Sequence, residues 1–367
     1  MGMCKRINHE MSEELTRVKN NIALLGYTHI WDRVKKLSND YELVCISVTS
    51  RIPVSRSYFK MIEIFKVLTH LKHPFSSHTP IKTAHLCEAP GGFIEAIDDL
   101  CSQEAIRVQG CTAITLTTSN QKVPVWNLGG LRVLSPNIIS GEDGTGDIYK
   151  LANVKQFIKH ARGSALITAD GGFDFSQNYN QQETMFQHLL LCEVYCAIQS
   201  QTQGGAFVVK VFDTFSTHTI RMLYILSLFY EEISLYKPLT SRPANSERYV
   251  LCCKFKGIDA ATKSDLQGGL ALKLMRFAIA DFAKHGSMLA SINIPPPFLD
   301  TVTRANIEMS ASQIMHIYKT FVFADTVGFS TDSEFSSYFK SVQTRKRDEW
   351  YRFFSVNKAA AASPISS

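Results

Sequence analysis

Long apolar runs are missing from this 367-residue sequence. No stretch approaches the roughly 20 apolar residues that a membrane-spanning helix needs, so no membrane contact is expected. Met1 to Glu10 has no apolar signal core, which points to a cytoplasmic or nuclear chain. Paired cysteine spacing is missing as well. The nine cysteines form an odd set, and Cys192 and Cys196 lack a second pair at ligand spacing. That argues against a disulfide framework or a zinc site and for reduced core thiols. No internal repeat is visible, which sets aside the solenoid folds. Charge is present but uneven: the net charge is +6, and residues 1–80 hold 12 Lys+Arg against 7 Asp+Glu. A basic opening segment suits a polyanion such as RNA, although a solvated helix face has the same composition.

What the sequence does have is a core-forming hydrophobic content of 45% and a long alternation of strand and helix signals. Leu15, Val18, Ile22 and Leu25 recur at helical steps within Glu13 to Leu37, with a break at Gly26. Ser55 stands as the cap of a helix from Tyr58 to Leu71. Strands are expected at Thr83–Cys87, Val108–Leu116, Leu131–Ile139, Ala165–Ala169, Gly205–Phe212, Ile233–Pro238 and Arg248–Phe255. Helices are expected at Asp147–Ala161, Gln181–Gln199 and Thr217–Tyr230. Apolar strands alternating with helices predict an α/β, doubly wound, Rossmann-like sheet. Such sheets bind ligands at the carboxyl ends of their strands. The division expected is a helical extension at 1–50, the α/β domain at 51–257, a helical region at 258–354 and a flexible tail at 355–367.

One stretch organises the rest. The apolar run ending at Cys87 meets Glu88-Ala89-Pro90-Gly91-Gly92-Phe93 and then a helical pattern. Two adjacent glycines permit a close approach of backbone to ligand, and the helix start offers free N–H groups. An ordinary β-turn before a surface helix is the plainer reading. Four charged residues stand where charge is awkward: Lys60 in the first turn of a helix, Asp170 at a strand end, Lys210 within Ala206–Val211, and Glu247 before a strand. A lysine in an apolar strand either snorkels to solvent, pairs with Asp170, or has chemical work to do.

In order along the chain, Ser55–Lys60, Cys87–Phe93, Asp170-Gly171-Gly172, Val208-Val209-Lys210 and Ser241–Tyr249 resemble the FtsJ-like ribose 2′-O-methyltransferases over residues 50–256. Ser241–Tyr249 and Asp143–Ile148 are most similar to the branch acting on mRNA caps in eukaryotes and large DNA viruses. The resemblance implies S-adenosylmethionine as cofactor, held by Cys87, Glu88, Pro90, Gly91, Gly92 and Phe93, with Asp147 at the adenine. It implies a Lys60–Asp170–Lys210–Glu247 tetrad and capped mRNA as substrate. Ile114–Thr118 departs from many nucleotide-binding sheets in having no carboxylate for the ribose.

A ribose hydroxyl is a poor nucleophile, so a base must take its proton as it attacks. Lys210 is the expected base, Lys60 and Glu247 its orienting groups, and Asp170 a steering group near the methyl. Lys60 is the cation that would lower Lys210, while the two carboxylates favour its charged form; sequence leaves that balance open. Arg56, Arg242 and Ser246 are expected at the substrate, with Phe173 as a base platform beside Trp126, Phe175 and Tyr179. The helical region from 258 is expected to offer a docking surface for a capping partner. Competing readings are an enzyme for ribosomal or transfer RNA, and an inactive methyltransferase-like subunit that holds RNA or a partner.

Overall fold

A computed structural model describes residues 2–45, 52–71, 79–121, 123–173, 179–329 and 333–354. Helices α1 (Gly2–Leu24), α2 (Trp31–Leu37) and α3 (Ser57–His70) precede strand β1 (Ile81–Leu86). Then follow α4 (Gly92–Gln103), β2 (Val108–Ile114), β3 (Pro136–Ile138), α5 (Leu151–Ala161), β4 (Ser164–Ala169), α6 (Gln182–Ser200) and β5 (Gln201–Val211). After α7 (Thr217–Phe229) come β6 (Tyr230–Tyr236) and β7 (Arg248–Phe255). The chain continues with α8 (Ile258–Ser264), α9 (Leu266–Ala280), α10 (Phe282–His285), α11 (Pro296–Phe329) and α12 (Ser333–Phe354). The expected tail, 355–367, lies outside the described residues.

The seven strands form one sheet in the order β3-β2-β1-β4-β5-β7-β6, as the α/β expectation requires. Four of the pairings are parallel, and among the described strands β7 alone runs antiparallel to its neighbours β5 and β6. The reason is local. No helix separates β6 from β7, and a strand that returns without a crossover must reverse direction. Both faces are buried, as continuous apolar strands predict. Phe207, Val209, Val250 and Cys252 face α5, α6, α7 and α9. Ala206, Val208, Leu251 and Cys253 face α3, α4 and α12. The neighbouring cysteines of β7 thus sit on opposite faces, and both are free thiols.

Several local expectations shift. Gly26, with φ 74°, ends the α1 pattern, and α2 starts anew at Trp31. Ser55 does not cap α3 through its side chain; its carbonyl accepts from Tyr58 N at 3.2 Å while its hydroxyl meets Ser57 Oγ. The strand expected from Leu131 shrinks to three residues, because the backbone N–H groups of Arg132, Val133 and Leu134 all donate to the Asp98 carboxylate instead of a ladder. Helix α5 begins at Leu151, since the Asp147 carboxylate accepts from Tyr149 N at 2.9 Å and makes a turn there.

The terminal helices pack on the sheet and on each other. Leu15, Val18 and Ile22 of α1 pack with Ile317 and Phe321 of α11. Trp350 of α12 is 1% exposed, packs edge-on against Phe59 of α3, and donates to Glu63 Oε1 at 3.0 Å. Glu63 also accepts from Tyr236, Leu239 and Thr240, so one buried carboxylate joins α3, α12 and the start of the β6–β7 loop. Removing the indole opens a cavity and takes one donor from a buried acid. Trp350→Ala is expected to cost about 3–5 kcal/mol of unfolding free energy, read by urea titration. A loss within 0.5 kcal/mol, about the scale of a surface change, would show that α12 is not docked there.

Candidate active site

The sheet brings three charged groups to one face by simple alternation. Side chains change face at each residue of a strand. Ala169 of β4 is opposite Val209 of β5, so Asp170 falls beside Lys210. Lys210 is opposite Tyr249 of β7, and Glu247 lies two residues before Tyr249, on the same side. That face is covered by α3, which supplies Lys60 from its first turn. Four groups that are distant in sequence therefore meet at the carboxyl ends of β4 and β5.

They meet as two pairs. Lys60 Nζ lies 2.7 Å from Glu247 Oε1, and Lys210 Nζ lies 3.1 Å from Asp170 Oδ1 while donating to the Asp170 carbonyl at 2.8 Å. Tyr249 OH donates to the same Asp170 oxygen at 2.8 Å, and Ser241 Oγ donates to Glu247 Oε1 at 2.8 Å. Burial raises Glu247, but Lys60 and Lys210 lower it more strongly, to about 2. Burial lowers Lys210, yet Asp170 and Glu247 more than offset this and raise it above its ordinary value. The balance that sequence left open thus goes to the charged form, and Lys60 is spent on Glu247 instead of depressing Lys210. Lys237 lies behind the Glu247 backbone and donates to the carbonyls of Asn245 and Glu247, both at 2.7 Å. Its burial, with Arg248 and Lys60 nearby, pulls it down to about 7 against an opposing pull from Glu247.

Beside these pairs opens a cavity of about 660 Å³, lined among others by Cys87, Pro90, Asp147, Tyr149, Gly172 and Lys210. Cys87, Pro90 and Asp147, expected at the cofactor, all line this cavity. Gly91 and Gly92 are crowded on the side where a side chain would stand. A Cβ on Gly92 would collide with the Ser55 and Ser57 hydroxyls, and one on Gly91, with φ 113°, would collide with Leu128. Their missing side chains serve the packing of α3 and the 126–128 loop against α4. Glu88 and Phe93 also turn inward: Glu88 is buried against His85 at 3.2 Å, and Phe93 packs on Tyr249. The glycine that shapes the cavity wall is Gly146, at φ 64°, where a Cβ would run into the Thr115 carbonyl. Its loop is held by Asn153, which is buried and bonds Asp143 at 2.9 Å and the Asp147 carbonyl at 3.0 Å.

The remaining candidates divide. Arg56 lines the cavity, and Phe173 is exposed on its rim. Arg56 and Arg242 both bond one buried carboxylate, Glu42, at 2.7 and 2.8 Å. Ser246 does not reach the cavity. It is buried, and its hydroxyl is saturated by Lys19, Gln313 and Asp213. Trp126 is partly buried against the core instead of standing open as a platform. Phe175 and the side chain of Tyr179 lie outside the described residues. Sequence reading missed Glu42, Glu63, Lys237 and Tyr249, and also Glu193. Glu193 is a buried acid of α6 raised well above the carboxylate range by burial against a lowering pull from Lys210. Tyr249 was visible as part of the Arg248-Tyr249 motif; the others carry no local signal.

The Glu247 shift has a thermodynamic consequence. Its value in the fold is depressed from 4.5 to about 2, so its contribution to stability is complete above 4.5 and fades as pH falls toward 2. Glu247→Gln is expected to lower stability at neutral pH, with the gap to wild type closing across that window. A gap independent of pH in chemical denaturation would refute the pairing.

The sequence from 53 to 255 matches the model of the FtsJ-like methyltransferase family. A cap-specific mRNA (nucleoside-2′-O-)-methyltransferase 1 from Dictyostelium discoideum is 30% identical over 274 residues, covering 67% of this chain and 34% of that protein. The protein of that name from Danio rerio is 40% identical over 148 residues, covering 38% of this chain and 18% of its own length. A cap-specific mRNA (nucleoside-2′-O-)-methyltransferase 2 from Danio rerio is 28% identical over 312 residues, covering 79% of this chain and 39% of its own length. The chain thus spans about a third of the length of the curated relatives it matches over most of its residues. With more than half of its residues inside the family match, and the two charge pairs at its strand ends, the chain belongs to the FtsJ-like methyltransferases.

Proposed function

We propose that this chain transfers a methyl group from S-adenosylmethionine to a ribose 2′-hydroxyl of RNA, at the first transcribed nucleotides of capped mRNA. The observation that carries this reading is the meeting of Lys60, Asp170, Lys210 and Glu247 beside the cavity. The cap assignment draws support from the names of the relatives, and it implies work in the nucleus or cytoplasm. Among the described residues, no helix is long and apolar enough to cross a membrane.

The residues present fit the cofactor. The cavity is roomy, Cys87 and Pro90 line one side, and the Gly146 turn leaves the Asp147 carboxylate in its wall. Cys87 and Pro90 would flank the methionine end, and Asp147 would accept from the adenine amino group. Bound there, S-adenosylmethionine supplies an electrophilic methyl on a positively charged sulfur.

Lys210 is the group that takes the proton. By protein groups alone it is held charged. With the site loaded, Lys210 would meet a like charge and lose contact with water, and both changes would favour its neutral form. The neutral amine would accept the 2′-hydroxyl proton as the oxygen–carbon bond forms and the methyl–sulfur bond breaks, leaving a neutral thioether. Asp170, fixed by Tyr249, keeps Lys210 aimed at the reacting oxygen. Lys60, fixed by Glu247, orients the ribose from the other side. Arg56, at the cavity mouth, meets the adjoining phosphate, and Arg242 stands beside it on Glu42.

Lys210→Ala is expected to keep cofactor affinity and to lose about 100- to 10,000-fold in methyl transfer, the usual scale for a general base. The wild-type rate is expected to rise with pH on the alkaline side, as Lys210 gives up its proton. The assay is labelled methyl transfer to capped and uncapped RNA, followed by nuclease mapping of the modified ribose. Normal turnover by the variant would overturn the base assignment, and equal transfer to uncapped RNA would favour a ribosomal or transfer RNA substrate.

A further inference from the structure

Glu247 is anchored by residues outside the family match. The residue before it, Ser246, is buried, and its hydroxyl makes three hydrogen bonds. It accepts from Lys19 Nζ at 2.8 Å and from Gln313 Nε2 at 3.1 Å, and it donates to Asp213 Oδ2 at 3.1 Å. A hydroxyl has one donor and two acceptor sites, so this one is saturated. Lys19 belongs to α1 and Gln313 to α11, both outside residues 53–255. Asp213 stands three residues after Lys210, at the exit of β5.

Lys19 Nζ also lies 2.8 Å from Asp213 Oδ2. One buried ammonium therefore bridges the segment that follows Lys210 and the segment that precedes Glu247. Lys19 and Asp213 side chains are 7% and 11% exposed, so the pair is poorly screened. Arg248 approaches the other Asp213 oxygen only to 3.7 Å, too far for a hydrogen bond. Gln313 adds a bond to the Ala244 carbonyl at 3.1 Å, which holds the loop a second time. Asn306 of α11 donates to the Thr214 carbonyl at 2.6 Å and holds the β5 exit.

We propose that Lys19 is a positioning residue for methyl transfer, setting the spacing of Glu247 from Lys210 through Ser246 and Asp213. This rests on the methyltransferase reading above. Helix α1 is then a working part of the site, and a segment limited to the family match lacks the cation that registers the two strand ends. Lys19 touches neither substrate nor cofactor. It acts on the rate through where it holds the Glu247 carboxylate.

Lys19→Met keeps the unbranched apolar stem and removes the charged end. It is expected to lower kcat about 10- to 100-fold, the usual cost of a misplaced group, with cofactor affinity within about twofold of wild type. Glu247 raises Lys210, so a displaced Glu247 releases it, and the alkaline rise of the rate moves to lower pH. A purely structural role would leave that rise in place. Ser246→Ala, which removes the junction hydroxyl alone, is expected to shift the rise in the same direction, and Ser246→Thr to restore it. These variants keep the test open should Lys19→Met not fold. Unchanged kcat and pH profile in folded Lys19→Met or Ser246→Ala would overturn the proposal. The Lys210 ammonium titration, followed by NMR of its Nζ, supplies an arm independent of turnover. If wild type transfers no methyl group, the function falls, and the Lys210 shift between wild type and Ser246→Ala still decides the anchoring.

Discussion

Two largely buried ammonium–carboxylate pairs beside the ends of adjacent strands set the terms for their surroundings. An isolated charge moved out of water costs several kcal/mol, and a pair offsets this only with good geometry and further hydrogen bonds. Both carboxylates have them. Asp170 accepts from Tyr249 as well as Lys210, and Glu247 accepts from Ser241 as well as Lys60. Each acid must then be held to within a few tenths of an ångström, and the loop from 237 to 247 becomes the critical segment. It has no secondary structure of its own to hold it.

Its rigidity comes from buried side chains of other elements. Glu63 grips the first turn of the loop through the backbone N–H groups of Leu239 and Thr240. Glu42 grips Arg242, Gln313 grips Ala244, and Lys237 closes the loop on itself through the carbonyls of Asn245 and Glu247. Glu63, Lys237, Arg56, Lys60 and Asp213 hold it from within the family match, while Glu42, Lys19 and Gln313 hold it from outside. The terminal helices therefore have a mechanical reason to be folded onto the domain. Trp350, buried under α3, donates to the same Glu63 that holds the loop, so a helix far from the cavity shares a hydrogen-bond hub with it.

The sheet and the awkward placing of Lys210 and Asp170 were legible because their signals are local, whereas the pairing of Lys60 with Glu247 was not. Lys210 stood out in an apolar strand, and Asp170 at a strand end, since alternation and strand direction follow from a few residues. The reversal of β7 also has a local cause, the lack of a helix after β6. What escaped reading was set at long range. Glu42 finds Arg242 200 residues away, and Lys19 finds Asp213 194 residues away. No periodicity encodes such a meeting. The packing around the glycine turn was illegible for a related reason. Gly91 and Gly92 make a backbone-friendly motif, but what fills the space above them, Leu128 and the Ser55 and Ser57 hydroxyls, arrives from separate segments. Ser246 shows the same limit: its motif marked it as important without showing that it faces inward.

The protonation of Lys210 joins stability to chemistry. A neutral Lys210 would leave Asp170 with a neutral donor and Glu247 with Lys60 as its main counter-charge, inside a site that penalises unpaired charge. The charged amine is therefore the form that suits the folded protein, and Asp170 and Glu247 hold it there against burial. A base for methyl transfer needs the opposite form. The two demands are compatible only if the favourable pairing can be reversed by something that enters the site, and a cationic methyl donor has the right sign. Carboxylates beside a base look self-defeating when the base is considered alone. With a cationic donor bound as proposed, they would supply the opposite charge that keeps the site near neutrality, and proton loss would then depend on loading. On the proposed function, a displaced Glu247 would act on Lys210 as well as on the fold, so the spacing of the two acids would bear on the chemistry.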